Sequence, residues 1–476
     1  MVNHVQEKLV CQADEAESGV TAIIGLDGFG ASCMEFLARR GAKVSGTYNL
    51  DEIKHLISPR LYVDLCQSVD KIRLSWPDIE INANFFDEKL LDKADRFVLS
   101  PGISYWSPFL NKYKDKGIPI LTELDLFRRY TSAPMVAVTG TNGKSSVTDL
   151  VSTMLGVARR NIITGGNFKT LMMDLIAPEE PEMYLLELSS FQLEAVTSLP
   201  LKTAALLNIS PDHMDRYPNF SAYRRAKFNI FNHCEHAVIH RDIKIDHSVI
   251  KNGANIIRFG LQNPGHDEFG IKNHKKRDYL AYGQDCLIAL DDLNQNGKHH
   301  YENILAAMAI AHTLGISVED MRHAIKSHKS LAHSCQFITC HEQISWFNDS
   351  KAVNVAACLN AIDYVRSKVS GQLVLIAGGF SRPADFTPLQ SVVKQHVKHA
   401  ILFGKSAVRL REALEGVTPV TIVNTLKDAV TNANKIANAG DAVLLSPACA
   451  SYDMFKNYKH RGDEFVKCVT KITQQP

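Results

Sequence analysis

An apolar run, Met135-Val136-Ala137-Val138, leads straight into Thr139-Gly140-Thr141-Asn142-Gly143-Lys144-Ser145, and no other stretch constrains the fold of this chain as tightly. Four apolar residues bounded by turn formers read as a buried strand ending at Val138, with a helix expected to begin near Ser145. Backbone N–H groups from Gly140 to Lys144 then turn toward an anion at the point where the helix presents the positive end of its dipole, which makes the turn an anion cradle. Lys144 would sit on terminal phosphates, and Ser145 would present its hydroxyl to Mg²⁺. The full G-x-x-x-x-G-K-[ST] pattern wants glycine at 138, where Val138 stands, so the loop is compact. A glycine turn that binds nothing would leave Gly-Lys-Ser at a strand end unexplained by turn chemistry. A nucleotide is the expected ligand.

The same succession of strand, turn and helix recurs along the chain. Residues 21–24 form an apolar strand, followed by Gly25-Leu26-Asp27-Gly28-Phe29-Gly30 and a helix through Met34, Phe36 and Leu37. A G-x-G-x-x-G fingerprint would need glycine at 27; Asp27 repels a pyrophosphate, so the turn is either structural or an altered nucleotide-sugar site. A second strand, 96–99, runs into Ser100-Pro101-Gly102-Ile103, and ligands gather at such carboxyl ends. From Thr122 a second block holds the phosphate loop, a strand at 183–186 running into Glu187, a strand at 204–207 running into Asn208, and a helix from Tyr301 to about Leu314. A third block from Leu331 alternates strands at 344–347, 373–377, 400–403 and 442–445 with helices. Repeated alternation means parallel sheets with helical faces. The expected fold class is α/β in three domains: a Rossmann-like N-terminal domain (1–121), a central P-loop domain with a parallel sheet (122–330) and a Rossmann-like C-terminal domain (331–476). The polar stretch 263–277 reads as a loop or short hairpin.

A length of 476 residues suits about three domains, and 45% hydrophobic content fills several cores. Lys plus Arg (53) and Asp plus Glu (51) nearly cancel without a basic tract, so small molecules rather than nucleic acid are the expected partners. Ten cysteines lack C-x-x-C pairs and read as reduced thiols. Residues 1–19 are polar and acidic, unlike a signal peptide, and no apolar run reaches membrane-spanning length; a cytoplasmic protein is expected.

Three further elements follow the phosphate loop. Glu187 emerges at a strand end, the natural position for a carboxylate that holds Mg²⁺. The segment from Asn208 to Arg216 is dense in polar groups after a buried strand and carries His213, which alone would read as a solvated loop histidine. Lys227, in Tyr223-Arg224-Arg225-Ala226-Lys227, would by itself read as a solvated charge on a basic helix.

Taken together, the loop at 139–145, Gly165-Gly166-Asn167, Glu187-Leu188-Ser189-Ser190-Phe191-Gln192-Leu193-Glu194, Asp212-His213-Met214-Asp215-Arg216-Tyr217-Pro218, Asn348-Asp349-Ser350-Lys351 and Leu445-Ser446-Pro447-Ala448-Cys449-Ala450-Ser451 resemble the cytoplasmic Mur ligases. The wording is nearest those members that add D-glutamate to UDP-N-acetylmuramoyl-L-alanine. The likeness is continuous from about Met135 to Arg461 and looser before it. It implies an ATP-dependent amide ligase of peptidoglycan precursor synthesis, acting through an acyl phosphate on small-molecule substrates, as a monomer. By position, Gly140, Thr141, Asn142, Gly143, Lys144, Ser145 and Ser146 would cradle ATP, Asn303 would face adenine, and His333, Asp349 and Lys351 would close over ribose and phosphates. Ser145 and Glu187 would hold one Mg²⁺, and His213 and an N-carbamylated Lys227 a second. Arg224 and Arg225 would favour the neutral amine that carbamylation needs. Ser100, Asn167 and His213 would touch the UDP-sugar, and Val353, Arg382, Ser451, Tyr452 and Tyr458 would line the amino-acid pocket. The connection near Ser330 is the expected hinge.

Departures from the family pattern concentrate in the substrate pockets. Val353 replaces a threonine expected on the glutamate carboxylate, and losing one hydrogen bond to a charged group costs about 1.5–3 kcal/mol. Arg382 stands for a lysine, Tyr452 and Tyr458 for leucine and phenylalanine, His300 for an asparagine and Ser334 for an arginine; Asp27, Phe29 and Thr47 alter the uridine site. The alternatives are a ligase for another amino acid, such as L-glutamate, or a paralogue that binds nucleotide without efficient turnover. An unrelated P-loop kinase would not need the 348–351 and 446–451 segments, and the Ser-Pro-Gly-Ile turn argues against folylpolyglutamate synthetase.

Overall fold

The computed structural model describes residues 19–474 apart from 56, 168–169, 197–198, 246–248, 251–252, 294–296, 330 and 382–383. The polar amino terminus, the hinge expected at Ser330 and the pocket residue Arg382 therefore lie outside the described residues. The chain divides into two compact units: one holds the chain up to Glu52, Leu65–Pro211 and Arg216–His328, the other Ile53–Asp64, Asp212–Asp215 and the chain from Lys329 on.

The first unit contains two sheets. In the first, β1 (Val20–Ile24), β2 (Lys43–Thr47), β3 (Ile81–Asn82), β4 (Arg96–Leu99) and β5 (Ile120–Thr122) are ordered β3-β2-β1-β4-β5, all parallel. Helix α1 (Gly28–Arg39) follows β1, its first turn capped by the Asp27 side chain. Helix α2 (Glu123–Arg129) follows β5 behind a capping box in which Thr122 and Asp125 satisfy each other's backbone N–H groups.

The second sheet is built on β6 (Met135–Thr139), every residue of which is buried, and helix α3 (Lys144–Val157) follows the phosphate loop. Strands β7 (Ile162–Gly166), β8 (Met183–Glu187), β9 (Pro200–Leu206), β10 (His233–His240), β11 (Asn255–Phe259), β12 (Glu268–His274), β13 (Arg277–Tyr282) and β14 (Asp285–Ala289) complete nine strands in the order β14-β13-β12-β11-β10-β9-β6-β8-β7. The sheet is parallel through β12 and antiparallel beyond it. The hairpin expected within 263–277 is the β12–β13 pair, and β14 extends it. Lys275 and Lys276 both take positive φ at its tip (50° and 64°), the geometry of a two-residue hairpin turn usually filled by Asn-Gly. Helix α4 (Phe220–Phe228) precedes β10, while α5 (Lys298–Thr313) is buried on all sides over residues 304–311. Four alanines in that stretch let α5 lie close between α3 and the sheet.

The second unit holds a six-stranded sheet ordered β15-β16-β20-β17-β18-β19: β15 (Gln336–His341), β16 (Ile344–Asn348), β17 (Leu373–Gly378), β18 (Val397–Phe403), β19 (Val420–Ile422) and β20 (Ala442–Leu445). Only the edge strand β15 runs antiparallel. Helices α6 (Val355–Arg366) and α7 (Tyr458–Thr473) flank it, each capped by an asparagine side chain. Apolar cores fill both faces, as parallel sheets require. Among the described residues no helix is long and apolar enough to cross a membrane.

Candidate active site

Strand register creates the site. Val138 of β6 pairs with Glu187 at the end of β8, and β9 on the other side delivers Asn208. Asn208 holds the phosphate loop reciprocally: Asn142 N donates to its Oδ1 at 2.9 Å, and its Nδ2 donates to Asn142 O at 3.0 Å. Gly143 sits at φ +83°, where an added side chain would also meet Asn303 Oδ1 at 2.5 Å, so glycine is required twice over. Asn303, expected at the adenine, thus stands against the loop. Helix α3 begins at Lys144, one residue earlier than expected, so Ser145 and Ser146 lie in its first turn.

Two lysines end on one carbonyl. Lys144 Nζ donates to Gly140 O at 2.9 Å and Thr141 O at 3.0 Å, and Lys227 Nζ also donates to Gly140 O at 2.9 Å. Lys227 is only 2% exposed and lies 5.0 Å from the centre of the Tyr223 ring, whose hydroxyl meets Thr141 Oγ1 at 2.9 Å. The default reading of a solvated helix lysine therefore fails. Arg224 and Arg225 are not the cations the site gathers: Arg224 donates to Lys244 O and Arg225 is exposed, because α4 turns positions 223, 226 and 227 inward and leaves 224 and 225 outward.

Glu187 is buried, with one carboxylate oxygen accepting from Asn167 Nδ2 at 3.0 Å and the other, Oε2, without a partner among the described residues. A buried lone carboxylate oxygen beside a phosphate loop is the donor a hard cation takes, and Ser145 adds a hydroxyl. No group of three His, Cys, Asp or Glu side chains is arranged to hold a metal among the described residues. A metal here would thus depend on Glu187, Ser145 and oxygens of the nucleotide.

Ser100 lies at the end of β4, but its hydroxyl donates to Asp27 Oδ1 at 2.6 Å. The turn after it is held by residues that sequence reasoning did not single out. All five Arg216 N–H donors are used: on Glu194 Oε1 (2.5 Å) and Oε2 (3.1 Å), and on the carbonyls of Pro101 (2.7 Å), Gly102 (3.3 Å) and Ile103 (3.2 Å). Phe191 lies under the guanidinium at 4.0 Å. Beside this clamp is a small crevice lined by Ser100, Tyr105, Gln192 and Glu123. Burial pushes the Glu123 carboxyl up to about 8, against a hydrogen bond from Gln192 that lowers it.

In the second unit, His213 has left-handed backbone (φ +56°) and a side chain 46% exposed, and Asp212 Oδ1 accepts its N–H at 2.9 Å. Asp349 is buried, with Ser446 Oγ (2.8 Å) and Cys335 N (3.0 Å) donating to it, and burial raises its carboxyl to about 7. His333, also at positive φ, contacts Asn348 Nδ2 through Nδ1 at 3.0 Å, and its carbonyl accepts from Lys351 N. Burial lowers its pKa. Val353 and Tyr452 are exposed, Ser451 is buried, and Tyr458 opens α7 with its carbonyl accepting from Ser350 Oγ. Arg461, wholly buried, ties these segments together by donating to Ser350 Oγ and O and to Cys449 O, each within 3.0 Å.

Three family descriptions match the chain: "Mur ligase MurD-like, N-terminal domain" over 19–122, "Mur ligase middle domain" over 138–311 and "Mur ligase, glutamate ligase domain" over 335–449. The UDP-N-acetylmuramoylalanine--D-glutamate ligase of Coxiella burnetii (strain Dugway 5J108-111) is 37% identical over 457 residues, 96% of this chain and 100% of that one. The enzyme of the same name from Pseudomonas aeruginosa is 38% identical over 453 residues, covering 94% and 97%. Among solved structures, the UDP-N-acetylmuramate-alanine ligase MurC of Thermotoga maritima superposes with a TM-score of 0.61 at 15% identity (95% and 100% covered). A pseudomurein peptide ligase type C from Methanothermus fervidus gives 0.58 at 16% (96% and 100%), so both share the fold. With relatives at 37–38% identity covering 94–96% of it, the chain belongs to the Mur ligase family.

Proposed function

We propose that the protein is an ATP-dependent ligase that joins D-glutamate to UDP-N-acetylmuramoyl-L-alanine in peptidoglycan precursor synthesis. The amino acid is the one in the names of its near-full-length relatives. The observation that carries the ligase chemistry is a second lysine, the buried Lys227, ending on the same loop carbonyl as the half-buried Lys144, which a simple phosphate loop does not need.

The alanyl carboxylate attacks the γ-phosphorus of ATP, the bond to ADP breaks, and an acyl phosphate forms. The neutral amine of glutamate then attacks the acyl carbon, phosphate leaves with the C–O bond electrons, and the amine gives up a proton. Phosphorylation turns a poor leaving group into a good one, and the protein's part is to hold two anions together. The 140–146 amides and Lys144 hold the phosphates, and Asn208 keeps the loop in shape. Asn303, against Gly143 of the loop, would face the base. Mg²⁺, when bound at Ser145 and Glu187, neutralises phosphate charge. Carbamylation of Lys227 would exchange an ammonium for two oxygens and make it a ligand for a second ion together with His213. His333, Asp349 and Lys351 would complete the nucleotide site, Asn167 and Ser100 the UDP-sugar site, and Val353, Ser451, Tyr452 and Tyr458 the glutamate pocket. Domains at 1–121, 122–330 and 331–476, a cytoplasmic location and a monomeric state complete the reading.

Incubation with ATP, Mg²⁺, UDP-N-acetylmuramoyl-L-alanine and single amino acids, with product mass as readout, tests it. A dipeptidyl product with D-glutamate is expected. Folded protein that yields none with either glutamate enantiomer or any other amino acid refutes it.

A further inference from the structure

The first parallel sheet carries, at its ligand-binding edge, an acceptor of its own. Its order, β3-β2-β1-β4-β5, reverses direction between β1 and β4, and open α/β sheets take ligands beyond the carboxyl ends of the strands at such a reversal. Two turns meet there, 25–30 after β1 and 100–103 after β4. The first keeps two of the three glycine functions of a dinucleotide turn. Gly25, at φ +91°, makes the tight turn, and a side chain on Gly30 would lie 1.7 Å from Gly25 O, so helix and strand approach closely. The third function, bare backbone through which a diphosphate reaches the helix, belongs to position 27.

Asp27 fills that space. Its Oδ1 accepts from Phe29 N at 3.1 Å, Gly30 N at 3.2 Å and Ser100 Oγ at 2.6 Å, so donors from both turns converge on one oxygen of the chain. Its Oδ2 reaches across to Gly102, where an added Cβ would be 2.6 Å away. Oδ1 remains an acceptor whether or not Oδ2 carries a proton, so the occupation does not depend on charge.

Resting on the proposed UDP-sugar substrate, we propose that Asp27 is a specificity-determining residue: its carboxyl group occupies the phosphate position between β1 and β4, so a nucleoside diphosphate is held through its nucleoside and sugar and not by the α1 amides. A diphosphate must displace this carboxyl group to use those donors, and removing it opens the position.

Calorimetric titration with UDP and with uridine tests this on full-length wild type, Asp27→Gly and Asp27→Asn. Glycine at an N-cap costs only a few tenths of a kcal/mol relative to aspartate, so Asp27→Gly keeps the fold. The expected result is an affinity for UDP about tenfold higher in Asp27→Gly with uridine unchanged, while Asp27→Asn, which keeps an acceptor on the same amides, stays within about twofold of wild type. Unchanged or weaker UDP binding by Asp27→Gly, or equal gains for UDP and uridine, overturns the assignment. If the wild type forms product while UDP affinity ignores Asp27→Gly, only the Asp27 assignment falls; absence of UDP binding in all three proteins removes it together with the proposed substrate.

Discussion

Replacing Glu123 by glutamine isolates a single buried carboxyl whose cost can be worked out. Glu123 opens α2, is 1% exposed, accepts from Gln192 Nε2 at 3.3 Å, and has its other oxygen, Oε1, unpartnered among the described residues. Burial raises it to about 8 from an ordinary 4.5, with Asp27 and Asp174 adding smaller repulsion. Its folded pKa is raised, so the stability it permits is fully present below pH 4.5 and is lost as pH climbs through 8. One pKa unit is worth about 1.4 kcal/mol, so roughly 3–4 kcal/mol disappears between pH 5 and pH 8 through this residue alone. Glutamine keeps the acceptor for Gln192 and does not titrate. The expectation is near-equal melting temperatures for wild type and Glu123→Gln at pH 5, and a variant several degrees more stable at pH 8, read by calorimetry on the transition of the first unit. Parallel melting curves across that range, or a variant less stable at pH 8, would show that Glu123 is not held neutral by burial.

Lys227→Ala should abolish ligation, and short-chain carboxylates should partly restore it by supplying the missing oxygens; full activity of the unrescued variant contradicts the carbamate role. Arg216→Ala leaves Glu194 buried without its cation and should destabilise the first unit by about 3–5 kcal/mol. Because the 101–103 carbonyls lose their donors, it should also raise KM for the UDP-sugar, while Arg216→Lys recovers only part of either loss. Gly143→Ala, strained at φ +83° and pressed on Asn303, should lose ATP-analogue binding by at least tenfold in titration while the rest of the fold melts normally.

The phosphate loop, Glu187 and the alternation of strands were legible because they are local: apolar runs ending in Gly, Asn or acid mark the strand ends that parallel sheets turn into sites. The β12–β13 turn carried no such mark, since Lys275-Lys276 supplies left-handed geometry without glycine. Lys227 was legible only through resemblance, since its burial depends on which face of α4 meets the loop, and the same ambiguity misassigned its cationic neighbour to Arg224 and Arg225. Arg216 and Glu194 stood within the quoted motifs, but nothing local ties an arginine to a carboxylate 22 residues earlier and to a turn over a hundred residues away. Glu123 reads as an ordinary first-turn acid, and its burial comes from residues distant in sequence, Gln192 among them. Asp27 was visible as a broken glycine pattern; the donors it takes from two turns were not.

If ATP activates the substrate carboxylate, one oxygen of that carboxylate leaves with the phosphate. With UDP-N-acetylmuramoyl-L-alanine labelled with ¹⁸O at both oxygens of the alanyl carboxylate, one labelled oxygen is expected in each phosphate released with product. Phosphate free of label, formed at the rate of amide bond formation, would contradict it.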